Sequence, residues 1–261
     1  MSETMSKAMS DAMSDAEQET IWIVGASAGI GRALATLYAR KGAKLILSAR
    51  SRDDLEALDR GLGGGHLVLP FDVSDQNGMT QALATLKANK TYIHRALFMA
   101  AIYKPQNIKD MDLGFAEDLF GVNVLGCFSF AQLMLQIMTE QGGGQIAICG
   151  SVAAYNGLPN GQPYSASKAA LKNFAESLYL EAPDSIDIKL ISPGFVRTRT
   201  TDLNEFDMPF IIEPERAASE IEKGLKSKAF EIHFPKRFSL QLKLLAMLPY
   251  FLSFKIFRKF L

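Results

Sequence analysis

From Thr20 onward, short apolar runs alternate with stretches of helical periodicity. The runs predict strands over Thr20–Val24, Lys44–Ser48, His66–Pro70, Arg95–Met99, Gln145–Cys149 and Asp187–Ile191, with a late strand near Phe230–Phe234. Between them, Ile30–Lys41, Gln76–Ala88, Phe115–Glu140 and Tyr164–Glu181 repeat apolar residues every three or four positions, as an amphipathic helix does. Apolar strands separated by helices pair in parallel through right-handed crossovers, with helices covering both sheet faces. The fold class predicted is therefore α/β, a doubly wound parallel sheet in a single domain with a short C-terminal helical extension. Turn residues punctuate it where expected, at Gly42, Gly61 to Gly65, Gly142 to Gly144, Pro183 and Pro193.

Composition narrows the function. Of 261 residues, 48% are hydrophobic and 21% charged, so the chain can bury a sizeable core and disorder over most of its length is excluded. The 28 Lys and Arg balance the 28 Asp and Glu, which argues against a nucleic-acid partner that needs a basic excess. That neutrality is uneven. Residues 1–19 hold five acids and one Lys, with Met1, Met5, Met9 and Met13 recurring every four residues, and read as a disordered acidic tail. Residues 236–261 hold six bases, six aromatics and no acid, leaving residues 20–235 as a near-neutral domain. The N-terminus lacks the apolar stretch of a secretory signal, and no apolar run reaches the roughly 20 residues that span a bilayer. A cytoplasmic chain is expected. Cys127 and Cys149 fit buried free thiols, and the scattered His66, His94 and His233 suggest no metal site.

The first strand runs into Gly25-Ala26-Ser27-Ala28-Gly29-Ile30-Gly31 and then a helix. Glycines let a backbone turn sharply beside a pyrophosphate, and the helix N-terminus offers free N–H groups and partial positive charge. The Gly-x-x-x-Gly-x-Gly spacing differs from the commoner dinucleotide fingerprint, and no Walker lysine follows. After the first strand of a parallel sheet it points to a Rossmann-type nucleotide site, rather than a mere packing corner. The second strand ends Ser48-Ala49-Arg50, where a site preferring NAD usually offers an acid to the ribose 2′-hydroxyl. A guanidinium there pairs with a 2′-phosphate, so NADP(H) is favoured and NAD(H) kept as the alternative.

Tyr164 and Lys168 stand four residues apart at the start of a predicted helix, on one face. Ser151 follows the strand Gln145–Cys149, at the sheet end where ligands bind, and precedes Tyr164 by 13 residues. Asn123 lies in an earlier helical segment. With the glycine turn and Pro193-Gly194, this set resembles the classical short-chain dehydrogenase/reductase family over about residues 20–235. The resemblance implies an oxidoreductase that reduces a carbonyl or oxidises an alcohol. Tyr164 would be the general acid or base, its pKa lowered by the Lys168 ammonium together with the oxidised nicotinamide. Lys168 would also bond the nicotinamide ribose, Ser151 would hold the substrate oxygen, and Asn123 would anchor a relay water. Ser27, Ala28 and Ile30 join the glycines at the pyrophosphate. Asp72 and Val73 would touch adenine, Ala100 would lie near the adenosine, and Pro193, Gly194, Val196 and Thr198 would line the nicotinamide. Tyr155 lacks a following lysine and is expected to line the pocket instead.

One departure stands out. Where the family has Asn-Asn-Ala-Gly after the fourth strand, this chain has Phe98-Met99-Ala100-Ala101, which puts local sheet stability in doubt. Downstream, Leu203, Phe206, Met208, Phe210, Ile211 and Ile212 suit either a flap over an apolar substrate or ordinary packing. Pro249 is expected to break the basic terminus into two helices. That terminus either lies peripherally in an anionic membrane interface, or packs on a second subunit or over the pocket. Protein packing weighs slightly more, because the family commonly forms homo-oligomers (dimers or tetramers) through helical surfaces. Competing functions are a cofactor sensor without turnover and a membrane-surface module.

Overall fold

A computed structural model describes residues 18–199, 201 and 208–260. Most of the acidic tail, with Leu203 and Phe206, lies outside these residues. Seven strands form one sheet: β1 (Thr20–Val24), β2 (Lys44–Ser48), β3 (Leu67–Val68), β4 (Arg95–Phe98), β5 (Gly144–Cys149), β6 (Ile186–Pro193) and β7 (Glu231–Phe234). Their order is β3-β2-β1-β4-β5-β6-β7, and every pairing is parallel. The order reverses between β1 and β4, which opens a crevice beyond the carboxyl ends of these strands.

Alternation along β1 shows how the sheet is covered. Ile21 and Ile23 face α1 (Gly29–Arg40), α2 (Arg52–Gly61) and α7 (Pro214–Leu225); Trp22 and Val24 face α3 (Gln76–Ala88), α5 (Gly126–Glu140) and α6 (Tyr164–Glu181). All four β1 side chains are fully buried, and burying each contributes about 1.5–3 kcal/mol. Trp22 packs edge-on to Phe130, with ring centroids 5.3 Å apart, and its indole N–H donates to the Ser48 hydroxyl at 2.9 Å. The result is a single Rossmann-type sheet flanked by helices, with α8 (Lys236–Met247) and α9 (Tyr250–Phe260) extending beyond it.

Several expectations shift. The third strand keeps only two paired residues, because Leu69 and Phe71 bond to β2 beyond it as an irregular edge. Helix α7 went unread, although Pro214 opens it and Ala217, Ala218, Ile221 and Leu225 form its buried stripe. One continuous helix, Leu113–Glu140, is long and apolar enough by composition to cross a membrane, contrary to the expectation drawn from uninterrupted runs. It comprises α4 (Leu113–Phe120), a π-helical turn over Gly121–Leu125 and α5. Its Phe130, Ala131 and Met134 are fully buried against the sheet, as in a core helix. Pro249 separates α8 from α9 as expected.

Candidate active site

The crevice holds a cavity of about 510 Å³. Its floor is the β1–α1 turn. Gly25 has φ +91°, and a Cβ there would stand 2.6 Å from the Ala100 amide nitrogen. A Cβ on Gly31 would collide with the Gly25 carbonyl. Ala28 caps α1 with extended backbone and makes no side-chain cap, so the first-turn amides face the cavity with no cap occupying them. A dinucleotide pyrophosphate fits such a cradle, because the turn brings bare backbone donors to the crevice.

Arg50, just past β2, lines one end with Arg32 from α1; Asp54 is the carboxylate beside them. Arg52 instead turns to Glu56 at 3.5 Å. Asp72 also lines the cavity while accepting from the Ser74 amide (2.9 Å) and hydroxyl (2.6 Å). Burial works to raise its pKa, but the Ser74 bonds and the Arg50 charge prevail and hold the carboxyl below its ordinary range. Asp72 is thus both a turn acid and a cavity residue.

At the other end, the start of α6 meets the end of β5. Ser151 and Tyr164 line the cavity together, with Ser151 near enough to favour ionisation of the phenol. The Lys168 nitrogen lies 5.5 Å from the Tyr164 ring centre and donates to the Cys149 carbonyl at 2.8 Å. Burial is the largest influence on both groups. It pushes the Tyr164 phenol well above its ordinary value, opposed by nearby Ser151, and holds the Lys168 ammonium below the usual lysine range. The expected lowering of the phenol by Lys168 is therefore not a property of the protein groups by themselves. The ammonium is 1% exposed and engaged by a carbonyl.

Every sequence-predicted site residue lines this cavity except Asn123. Asn123 sits behind the wall, in the π-helical turn and fully buried. It accepts from the Ile102 amide (2.8 Å) and donates to the Ile102 carbonyl (3.0 Å) and the Ser167 hydroxyl (3.3 Å). This clamp steadies the chain just after β4, where the family's asparagine is missing; Met99 N–H to the Val24 carbonyl at 2.7 Å completes the strand junction. Tyr155 is a correction. Its hydroxyl donates to Glu231 at 2.5 Å, and Glu231 also pairs with Lys243, so Tyr155 is drawn to β7 and α8 and does not line the cavity.

The sequence reading missed Arg32, one residue past the last turn glycine, and Tyr103, whose ring stands edge-on to Tyr164 at 4.8 Å. Arg32 was legible from its position; Tyr103 belongs to no motif. Of the supposed flap, Ile212 is buried and bridges Val196, which is ordinary packing, whereas Phe210 is exposed.

Comparison with known proteins agrees with this geometry. The profile of the family described as short chain dehydrogenase matches residues 19–207. An uncharacterized oxidoreductase of Myxococcus xanthus is 30% identical over 234 residues, covering 88% of this chain and 92% of the relative. Among solved structures, a short-chain dehydrogenase from Sphingobium yanoikuyae in complex with NADPH superposes with a TM-score of 0.74 at 22% identity, covering 88% of this chain and 96% of the other. One from Burkholderia phymatum in complex with NAD reaches 0.79 at 22% identity, covering 87% and 92%. The glycine turn, the Ser151–Tyr164–Lys168 grouping and the profile match place this chain in the short-chain dehydrogenase family, NAD(P)(H)-dependent oxidoreductases acting on alcohol and carbonyl groups.

Proposed function

We propose that the protein is an NADP(H)-dependent reductase of an apolar carbonyl compound, or a dehydrogenase of the matching alcohol, with Tyr164 moving the proton. The observation that carries this is the convergence of Ser151, Tyr164 and Lys168 on one cavity, with the Lys168 nitrogen 5.5 Å from the Tyr164 ring centre. The dinucleotide, when bound, supplies or accepts the hydride. Everything else falls to the chain. The first-turn amides of α1 receive the pyrophosphate, Asp72 and Val73 meet the adenine, and Lys168 holds the nicotinamide ribose. Pro193, Gly194, Val196 and Thr198 flank the nicotinamide.

Ser151 and Tyr164 together hold the substrate oxygen. In reduction, the Tyr164 O–H donates its proton to that oxygen; burial keeps the phenol protonated and ready. In oxidation the proton moves the other way. Asn123 keeps the Ile102 backbone and Ser167 in register behind this pair. Arg50 and Arg32, lining the cavity just past β2 and at the start of α1, support binding of a 2′-phosphate and hence NADP(H) over NAD(H). Ile102 and Tyr103 at the reacting end support an apolar substrate. A cytoplasmic homo-oligomer completes the reading, supported by exposed Leu113, Leu125 and Leu180 on the outer helices.

The test is NADPH consumption across a panel of aldehydes and ketones. Wild type turns over at least one. Tyr164→Phe loses turnover by roughly 10²–10⁴-fold while NADPH binding stays nearly unchanged. Wild type that binds NADPH but reduces nothing would instead support a sensor without turnover.

A further inference from the structure

Helices α8 and α9 carry apolar side chains on their outward faces as well as inward, where Leu242 is buried. They bury Ser239 and Ser253, at 0% and 3% exposure, and present large apolar side chains outward. On α8 these are Leu240, Leu244 and Met247, spaced i, i+4, i+7 as a single stripe. On α9 they are Tyr250, Phe251 and Phe254, with Tyr250 and Phe254 stacked at 5.2 Å. Exposed apolar groups scattered singly need no explanation, but a contiguous set does.

Helix α8 is also firmly fixed. Lys243 pairs with Glu231 at 2.5 Å, the Ser239 hydroxyl meets His233 Nδ1 at 2.7 Å, and Asn156 donates to the Leu242 carbonyl at 3.2 Å. Phe238 stacks on Phe195 at 5.5 Å. The outward stripe is therefore held outward by the fold.

We propose that the outer faces of α8 and α9 dock on an anionic lipid bilayer, with the reacting end of the cavity turned toward the lipid. Charge selects this occupant over a second copy of the chain. Residues 236–261 contain six bases and no acid. Lys243 is neutralised by Glu231, whereas Lys236, Arg237, Lys255 and Arg258 are exposed and, among the described residues, make no ion pair. A two-fold contact through this face would set bases against bases with no acid on the face to offset them. A bilayer bearing anionic headgroups complements the bases, while Leu, Met, Tyr and Phe side chains enter the boundary beneath.

The position of the surface bears on substrate class, and this step rests on the oxidoreductase reading above. Phe238 lies against the Gly194–Phe195 segment of the cavity wall, and Asn156 belongs to the loop between Ser151 and Tyr164. One cavity wall and the loop that leads to Tyr164 thus hold the helix that carries the stripe. The substrate class is a lipophilic carbonyl compound dissolved in the membrane.

The experiment is flotation of the full chain with two vesicle types, pure phosphatidylcholine and phosphatidylcholine with roughly one-third phosphatidylglycerol. The protein floats with the anionic vesicles and stays behind with the neutral ones, and added salt weakens the recovery. L244E/F251E loses flotation tenfold or more yet reduces a water-soluble carbonyl as wild type does. Should that variant misfold, K255E/R258E alters only exposed charges and gives the same loss. Equal recovery with both vesicle types, no flotation, or a dimer that L244E dissociates would each overturn the docking. Vesicle-dissolved long-chain aldehyde is turned over faster by wild type than by the floating-defective variant; equal rates overturn the substrate class alone. Flotation without any carbonyl turnover overturns the enzyme reading and leaves the docking standing.

Discussion

Helix α6 and the α8–α9 pair break the inside–outside rule in opposite directions. Helix α6 buries Ser165, Ser167 and Lys168, each at 3% exposure or less. The C-terminal pair exposes Leu, Met, Tyr and Phe. Buried polar groups and exposed apolar ones are the informative departures in any fold, because each carries a free-energy cost that local packing does not repay. In α6 the cost is met by partners inside the molecule. Lys168 bonds the Cys149 carbonyl, Ser167 bonds the Tyr164 carbonyl and Asn123, and Ser165 bonds the Ala153 carbonyl at 2.7 Å. In α8–α9 the partner is proposed to lie outside it. One departure builds chemistry, the other builds location.

Substitutions test this contrast, beginning where the largest effect is expected. Lys168→Met keeps the length of the side chain but removes the ammonium. Turnover should fall by roughly 10²–10⁴-fold in an NADPH-consumption assay; activity within a few-fold of wild type would show that the buried charge is only structural. Ser167→Ala strips Asn123 Nδ2 of one acceptor in a fully buried place. A loss of about 1–3 kcal/mol is expected in urea unfolding, and no loss would mean the clamp is redundant.

The junction between the regions depends on pH. Burial works to raise the Glu231 pKa, but bonds from Lys243, Tyr155 and Ser192 prevail and hold it below the ordinary 4.5. A carboxyl depressed in the folded state contributes stability above its unfolded pKa and loses it as pH falls through the folded value. Wild type should therefore lose urea resistance below about pH 4.5 more steeply than Glu231→Gln, comparing midpoints from pH 6 downward. The smallest effect belongs to the outer stripe. Leu240→Gln or Leu244→Gln should change thermal stability by no more than about 0.5 kcal/mol, because neither side chain packs inward. A larger loss would show that the stripe belongs to the core.

Much of this was legible along the chain. Strand and helix placement followed from periodicity, since β1, β2, α3 and α6 keep the predicted bounds. The glycine turn and the Tyr164–Lys168 pair were readable because each is local, within one turn of backbone or helix. What was not readable depends on residues far apart. Tyr155 looked like a pocket residue until Glu231, 76 positions later, took its hydroxyl. Asn123 was read as a relay residue, but its clamp on Ile102 and Ser167, from two other parts of the chain, was not readable. The span of Leu113–Glu140 was hidden by Asn123, Ser129, Gln132 and Gln136, uncharged polar residues that interrupt its apolar run without breaking the helix.

By itself the sequence determined the doubly wound sheet, the glycine turn after its first strand and the pairing of Tyr164 with Lys168 on one helix face, because period, glycine spacing and an i, i+4 relation are carried by neighbours in the chain. Tertiary structure alone decided the electrostatics of that pair. Burial raises the Tyr164 phenol and lowers the Lys168 ammonium, and burial is created only when β5, β6 and α6 close around them. It also decided which face of the basic terminus looks outward. The composition of residues 236–261 was equally compatible with packing inward, and the anchors of α8 at Glu231, His233 and Phe195 turn Leu240, Leu244 and Met247 away from the protein.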